Sequence, residues 1–228
     1  MLAPRIFSNS VPLCAAKLTL YSAMPARSRT AREIEIKLRI TDLSELLRKI
    51  RRLHCVCKGR VFERNVLYDT PEGDFRRRGW LLRLRVETPA ASKLLPAGRA
   101  SAVVTSKAPI PASRSSRYKE KLEREVAVRR PQSWADTLLS LGLYPAFCYE
   151  KCRTTFRLSG LHLELDETPV GAFLELEGSP RAIDRAARAL GYAARDYFRG
   201  TYWDLYAAAC RRAGKPIRNM VFRAKKNR

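Results

Sequence analysis

The segment Glu33-Ile34-Glu35-Ile36-Lys37 places a charge at every second position, with isoleucines between. A β-strand sends alternate side chains to opposite faces, so two carboxylates and an ammonium share one side while Ile34, Ile36 and Leu38 share the other. Taken alone, that is a half-exposed strand, wet outside and apolar inside. What constrains the fold is recurrence. Eight segments read as strands: Glu33–Ile40, Val61–Asp69, Trp80–Glu87, Ser101–Lys107, Lys119–Arg129, Tyr149–Leu158, Leu161–Glu167 and Ala172–Gly178. Ser159-Gly160 separates two of them by the length of a tight hairpin, and Thr168-Pro169-Val170-Gly171 turns the next pair. Links this short join antiparallel neighbours.

Helices fall between or after the strands. Asp42, with Glu45 three residues on, reads as a capping box opening a helix with Leu46, Leu47, Ile50 and Leu53 on one stripe. Ser133 is expected to cap a second, carrying Trp134, Leu138 and Leu141 and stopping at Gly142. Ser179-Pro180 starts a third that ends at Gly191. Thr201 caps a fourth, with Trp203, Leu205 and Tyr206, ending near Gly214. Thr88–Ala100 and Ala108–Arg117 read as loops, the second carrying Arg114 and Arg117 as tunnel-mouth or solvated residues.

One parity runs through the strands. It carries Glu33, Glu35 and Lys37; Arg83, Arg85 and Glu87; Thr105 and Lys107; Lys119, Lys121, Glu123 and Glu125; Lys151, Arg153 and Arg157; Glu164 and Asp166; Glu175 and Glu177. The opposite parity is leucine-rich. This is either one antiparallel sheet with a wet face or, since eight strands suffice for closure, an inverted barrel with a charged lumen. A lumen with cations on some walls and carboxylates on others suits a triphosphate. Arginine forks and lysines hold its oxygens, and Mg²⁺ or Mn²⁺ bridges carboxylates to phosphate.

Composition bounds the alternatives. The chain has 228 residues, enough for one large domain, and no apolar run long enough to span a bilayer. Six cysteines without paired CxxC spacing and only two histidines argue against zinc-ribbon, histidine-phosphatase and Ser-His-Asp chemistry. Free thiols and the lack of an export signal predict a cytoplasmic protein. The formal charge of +23 is uneven: residues 1–32 hold five Lys/Arg and residues 211–228 hold eight, with no acid in either. Residues 1–32 read as a basic, disordered lead, with Met24 as an alternative start or, if organellar, a transit peptide. Residues 33–210 form the domain, and 211–228 read as a loose basic tail. Nucleic acid would be gripped only through these ends.

The chain resembles the CYTH proteins, or triphosphate tunnel metalloenzymes, over about residues 33–207. The resemblance rests on Glu33-x-Glu35-x-Lys37, Tyr68-Asp69-Thr70-Pro71, Leu82-Arg83-Leu84-Arg85, Thr105-Ser106-Lys107, Glu123-Arg124-Glu125, Lys151-Cys152-Arg153, Leu165-Asp166-Glu167, Phe173-Leu174-Glu175-Leu176-Glu177 and Thr201-Tyr202-Trp203-Asp204-Leu205. It implies an α+β fold: a closed, eight-stranded antiparallel barrel with helices on its outer face. It implies Mg²⁺ or Mn²⁺ on Glu33, Glu35, Glu123, Glu125, Asp166, Glu175 and Glu177. A triphosphate-containing small molecule would lie on Lys37, Arg83, Arg85, Lys107, Lys151 and Arg153, with Glu33, Glu35 and Lys37 at the catalytic centre. Glu164 and Arg157 are expected to be solvated lumen residues. The implied activity is triphosphate hydrolysis. The alternatives are cyclisation of ATP to cyclic AMP, as in class IV adenylate cyclases, or binding of polyphosphate or RNA without catalysis.

Overall fold

The computed structural model describes residues 29–90, 100–110 and 116–223, apart from the side chains of residues 29 and 30. Eight strands, β1 (Arg29–Ile40), β2 (Val56–Asp69), β3 (Leu81–Pro89), β4 (Ser101–Pro109), β5 (Lys119–Val128), β6 (Tyr144–Leu158), β7 (Leu161–Thr168) and β8 (Gly171–Gly178), form a closed antiparallel barrel. Its order is β1-β5-β4-β3-β2-β6-β7-β8. Strand β1 closes the ring. Its first half pairs with β5, from Arg29 opposite Glu125 to Glu35 opposite Lys119, and its second half with β8, from Glu35 opposite Glu177 to Ile40 opposite Ala172. Glu35 therefore sits where the two ladders meet.

The leucine-rich parity faces outward under helices. Ile36, Leu38, Leu163, Leu165, Leu174 and Leu176 pack with Leu46 and Ile50 of α1 (Leu43–Arg52). Ile183, Ala186 and Ala187 of a later helix, α4 (Pro180–Ala189), complete the cluster. Asp42 caps α1 by accepting from the Glu45 N–H at 2.8 Å, and Ser179 does the same for α4 from Ala182. Between β2 and β3 lies one turn of helix, α2 (Asp74–Arg77), that sequence periodicity is too short to register.

Several expectations are corrected. The helix α3 (Pro131–Ser140) starts on Arg130, not Ser133, because Pro131 with its fixed φ and missing N–H occupies the first helical position. Only Leu138 of its expected stripe is buried, whereas Trp134 and Leu141 stay exposed. Strands β2 and β6 begin five residues earlier than read, at Val56 and Tyr144. β3 runs on to Pro89 and β4 to Pro109, so residues 91–99 and 111–115, including Arg114, are the parts of the expected loops outside the described residues. Arg117 pairs with Asp184 of α4 at 2.5 Å on the outside of the barrel.

The largest difference is at the C-terminus. After α5 (Tyr202–Arg212) part of the segment expected to be a loose tail, from Asn219 to Phe222, lies against β6, with Met220 bridging to Tyr149. Glu150 donates its N–H to the Met220 carbonyl at 2.9 Å, Met220 donates to Cys148 at 2.9 Å, and the Asn219 side chain accepts from Cys148. Met220 is 0% exposed among Phe147, Tyr149, Phe173, Tyr202 and Leu205. The basic composition of the segment hid one buried thioether. Residues 1–28 of the expected basic lead lie outside the described residues; Arg29 to Arg32 open β1. Among the described residues no helix is long and apolar enough to cross a membrane.

Candidate active site: a tunnel with walls of both signs

The polar parity turns inward. A cavity of about 380 Å³ inside the barrel is lined by Lys37, Arg83, Arg85, Lys107, Lys119, Lys151 and Arg153, and by Glu33, Glu35, Glu123, Glu125, Glu164, Glu175 and Glu177. Of the residues expected at the site, only Asp166 is absent from that wall. It is 0% exposed and lies behind it, with its oxygens accepting from Lys151 at 2.9 Å, Arg153 at 2.7 and 2.6 Å, and Tyr202 at 2.5 Å. With every contact taken by a donor, its geometry is that of an anchor for the two cations in front of it.

The walls neutralise one another. Lys107 reaches both oxygens of Glu33 at 2.6 and 2.7 Å and Glu123 at 3.1 Å. Lys37 lies between Glu35 at 3.0 Å and Glu175 at 2.9 Å. Burial alone would discharge Lys37, but Glu175 and Glu35 outweigh it and hold its pKa above the ordinary value, so it is a fixed cation and not a base. Glu35 is likewise kept ionised: Lys119 and Lys37 overcome the cost of burial. Arg153 contacts Glu175 at 2.6 Å and also pairs with Glu164.

Two residues that matter here were not among the expected site residues. Glu63 on β2 is 1% exposed and faces Lys151 at 3.5 Å, Arg153 at 3.6 Å and Arg85 at 3.9 Å. Lys119 sits on the right parity, yet no family motif covers it; it meets Glu35 at 2.5 Å. Tyr149 and Tyr202 add aromatic wall, with the Lys151 ammonium 4.9 Å from the Tyr202 ring centre. Tyr202 is held there by the start of α5, where Thr201 caps the Asp204 N–H and Asp204 accepts in return from the Thr201 N–H at 2.7 Å. Arg157 lies exposed near the other end of β6, against His162.

Counting Glu63 and Asp166 behind the wall, nine carboxylates face seven cations. The excess acid is visible in single groups. Burial, then Glu33 and Glu164, push Glu177 up to about 7. Burial also takes Glu164 up to about 7 against the pull of Arg153. An all-oxygen donor set with surplus negative charge fits a hard divalent cation such as Mg²⁺ or Mn²⁺. Among the described residues no three acidic, histidine or cysteine groups converge as a ready cage, since lysines hold several of the carboxylates.

A closed eight-stranded barrel whose bore carries opposed acid and base defines a tunnel protein for a polyanion. The CYTH domain matches residues 31–202, and the chain belongs to that family, the triphosphate tunnel proteins. Its structure is similar to a protein of Vibrio parahaemolyticus provisionally assigned as an adenylate cyclase, with TM-score 0.65 and 19% identity over 78% of this chain and 99% of that one. A Pyrococcus horikoshii protein matches with TM-score 0.64 and 23% identity, again over 78% and 99%. A Hippeastrum protein, provisionally an adenylyl cyclase but with a dominant triphosphatase activity, matches with TM-score 0.51 and 20% identity over 81% and 97%. At these identities the likeness is one of fold. No curated protein matches the chain in sequence.

Proposed function

We propose that the protein is a divalent-metal-dependent hydrolase of a triphosphate held in the tunnel. The observation that carries this reading is the convergence of seven cations and seven carboxylates on one 380 Å³ bore, with two more carboxylates, Glu63 and Asp166, buried behind its wall. A triphosphate brings four to five negative charges of its own. A formally negative lumen would repel it unless divalent cations entered as well.

The exchange follows from the ion pairs. Lys107 and Lys119 pair with Glu33 and Glu35 and neutralise them. When phosphate oxygens take the ammonium groups, those carboxylates are freed. Glu33, Glu35, Glu123, Glu125, Glu175 and Glu177 would then hold the metal, which polarises phosphate oxygens and offsets charge in the displacement. Arg83, Arg85, Lys151 and Arg153 keep the chain extended, and Asp166 and Glu63 hold these cations from behind. Lys37, fixed between Glu35 and Glu175, meets the negative charge developing on the reacting phosphoryl group. Glu35, ionised and buried, orients the attacking water.

The test is phosphate release from tripolyphosphate and from ATP with and without Mg²⁺ or Mn²⁺, with nucleotide products separated. Glu35→Gln should lower metal-dependent turnover about 10²- to 10³-fold while the barrel stays folded. Undiminished turnover in that variant would refute the assignment. Cyclic AMP and pyrophosphate from ATP would replace hydrolysis with cyclisation.

A further inference from the structure

The outer wall of β1, β7 and β8 lies under two helices whose solvent sides are cationic. α1 and α4 share one apolar cluster beneath them, and Lys49 of α1 donates to the Leu190 carbonyl just past α4 at 2.9 Å. Their exposed flanks therefore belong to one face of the molecule. Ala182, Ile183, Ala186 and Ala187 bury the inner side of α4, which leaves Arg181, Arg185 and Arg188 as one exposed stripe at i, i+4 and i+7. Arg51 and Arg52 are exposed at the end of α1. The acids of both helices are already taken. Glu45 pairs with Lys49 at 2.9 Å and Arg48 at 3.8 Å. Asp184 pairs with Arg117 and accepts from Tyr118 and Tyr197, both at 2.9 Å. Among the described residues, Arg51, Arg52 and the α4 stripe have no acidic partner.

Helix physics does not account for that stripe. Basic residues in the last turn of α1 meet the negative end of its dipole, which explains Arg51 and Arg52 locally. Arg181 instead lies in the first turn of α4, where the dipole disfavours a cation, and no acid offsets it there. Arg181 and Arg185 are four residues apart and Arg185 and Arg188 three, the spacings at which like charges repel. A row that opposes its own helix and meets no acid is matched to an anionic partner. What the face lacks narrows that partner. Neither helix exposes a large apolar side chain that could enter a bilayer. Neither contains an aromatic ring on which an unpaired base could stack. Guanidinium forks match phosphate oxygens bidentately, and the rise of about 6 Å from Arg181 to Arg185 is close to the step between phosphates along a nucleic-acid strand.

We propose that the α1–α4 face binds the phosphodiester backbone of a nucleic-acid duplex, without reading its sequence, at a site separate from the tunnel. The test is fluorescence anisotropy of a labelled mixed-sequence duplex, as DNA and as RNA, titrated with the full chain over a series of salt concentrations. Binding to either duplex supports the proposal, and the ratio of the two affinities identifies the source of the phosphodiester. The combined variant Arg181→Gln, Arg185→Gln, Arg188→Gln should weaken binding at least about tenfold. It should also flatten the slope of log K against log salt by about 2.7, three phosphate contacts at about 0.9 each. Its thermal midpoint should be unchanged or higher, because like charges one turn apart are removed. A control with the same charge loss, Arg124→Gln, Arg129→Gln, Arg130→Gln at and after β5, should bind nearly as the parent does. Equal loss in the control, or binding retained in the stripe variant, overturns the proposal and leaves only overall charge or the basic ends. Absence of duplex binding by the wild-type chain overturns it as well. Tighter binding to phosphatidylserine vesicles than to duplex, lost in the stripe variant, overturns it in favour of a membrane surface.

Discussion

Replacing Glu63 with glutamine tests whether the tunnel is a set of mutually dependent charges. The side chain is 1% exposed and lies 3.5 Å from Lys151, 3.6 Å from Arg153 and 3.9 Å from Arg85. At an effective dielectric constant of about 20, one unit pair at that range attracts by roughly 5 kcal/mol. Burying the carboxylate takes back several kcal/mol, and Lys151 and Arg153 retain Asp166, so the net loss should be about 3 kcal/mol. In a chain of this size that lowers the thermal midpoint by about 6–12 °C. Glutamine keeps the shape and can still accept from the Asn65 amide, now 3.3 Å from the Glu63 carboxylate, so no cavity is introduced.

The pH dependence fixes the sign independently. Burial would raise the Glu63 carboxyl, but Lys151, Arg153 and Arg85 outweigh it and hold it well below the ordinary value of 4.5. A depressed folded-state value contributes stability that is present above the unfolded value and lost as pH falls through the folded one. The gap between wild type and Glu63→Gln, read by calorimetry, should therefore be full near neutrality and shrink as pH drops below 4.5. A second readout separates charge from packing: with one acid gone, tripolyphosphate should raise the midpoint of the variant more than that of the wild type. A variant within about 2 °C of the parent at neutral pH would refute the reasoning.

Lys119→Ala should lower kcat/KM for tripolyphosphate about a hundredfold, with Lys119→Arg recovering much of it, because this ammonium is a clamp donor held by Glu35; an unchanged rate would return Lys119 to the solvent-facing rim. Met220→Ala should cost about 2–5 kcal/mol by denaturant unfolding, whereas a loose tail would show no change. Mg²⁺ and tripolyphosphate should each bind more tightly in the presence of the other, by about fivefold or more in titrations, since each frees the partner charges the other needs. Independent binding would contradict the exchange of ion pairs proposed for Glu33 and Glu35.

How much was legible follows from how cleanly each strand alternates. Along the middle of β1, β7 and β8 one parity is apolar, as in Ile34, Ile36 and Leu38, Leu163 and Leu165, or Leu174 and Leu176, so the charged parity was assigned without structure. β2 gives no such contrast. Its inward residues Val61, Glu63, Asn65 and Leu67 alternate with Phe62, Arg64 and Val66, each set mixing polar and apolar side chains. Glu63 was hidden there because the face of a mixed strand is fixed only by its neighbours β3 and β6. That Trp80 and Trp203 line one cavity was illegible for a different reason: they are far apart in sequence, and read singly Trp80 opens a strand and Trp203 belongs to a helix stripe.

The fold also explains why acid and base must share one bore. Outward leucines are covered by helices, and the inner parity concentrates charge in the bore. A lumen of seven cations alone would be destabilised by its own repulsion before any substrate arrived. Glutamates on neighbouring strands, with Glu35 opposite Lys119 and Glu175 opposite Lys37, remove that repulsion. The same glutamates then oppose a bare polyanion. Ligand entry therefore has to bring positive charge with it, and tripolyphosphate binding measured without divalent cations should be weak even with every lysine and arginine intact.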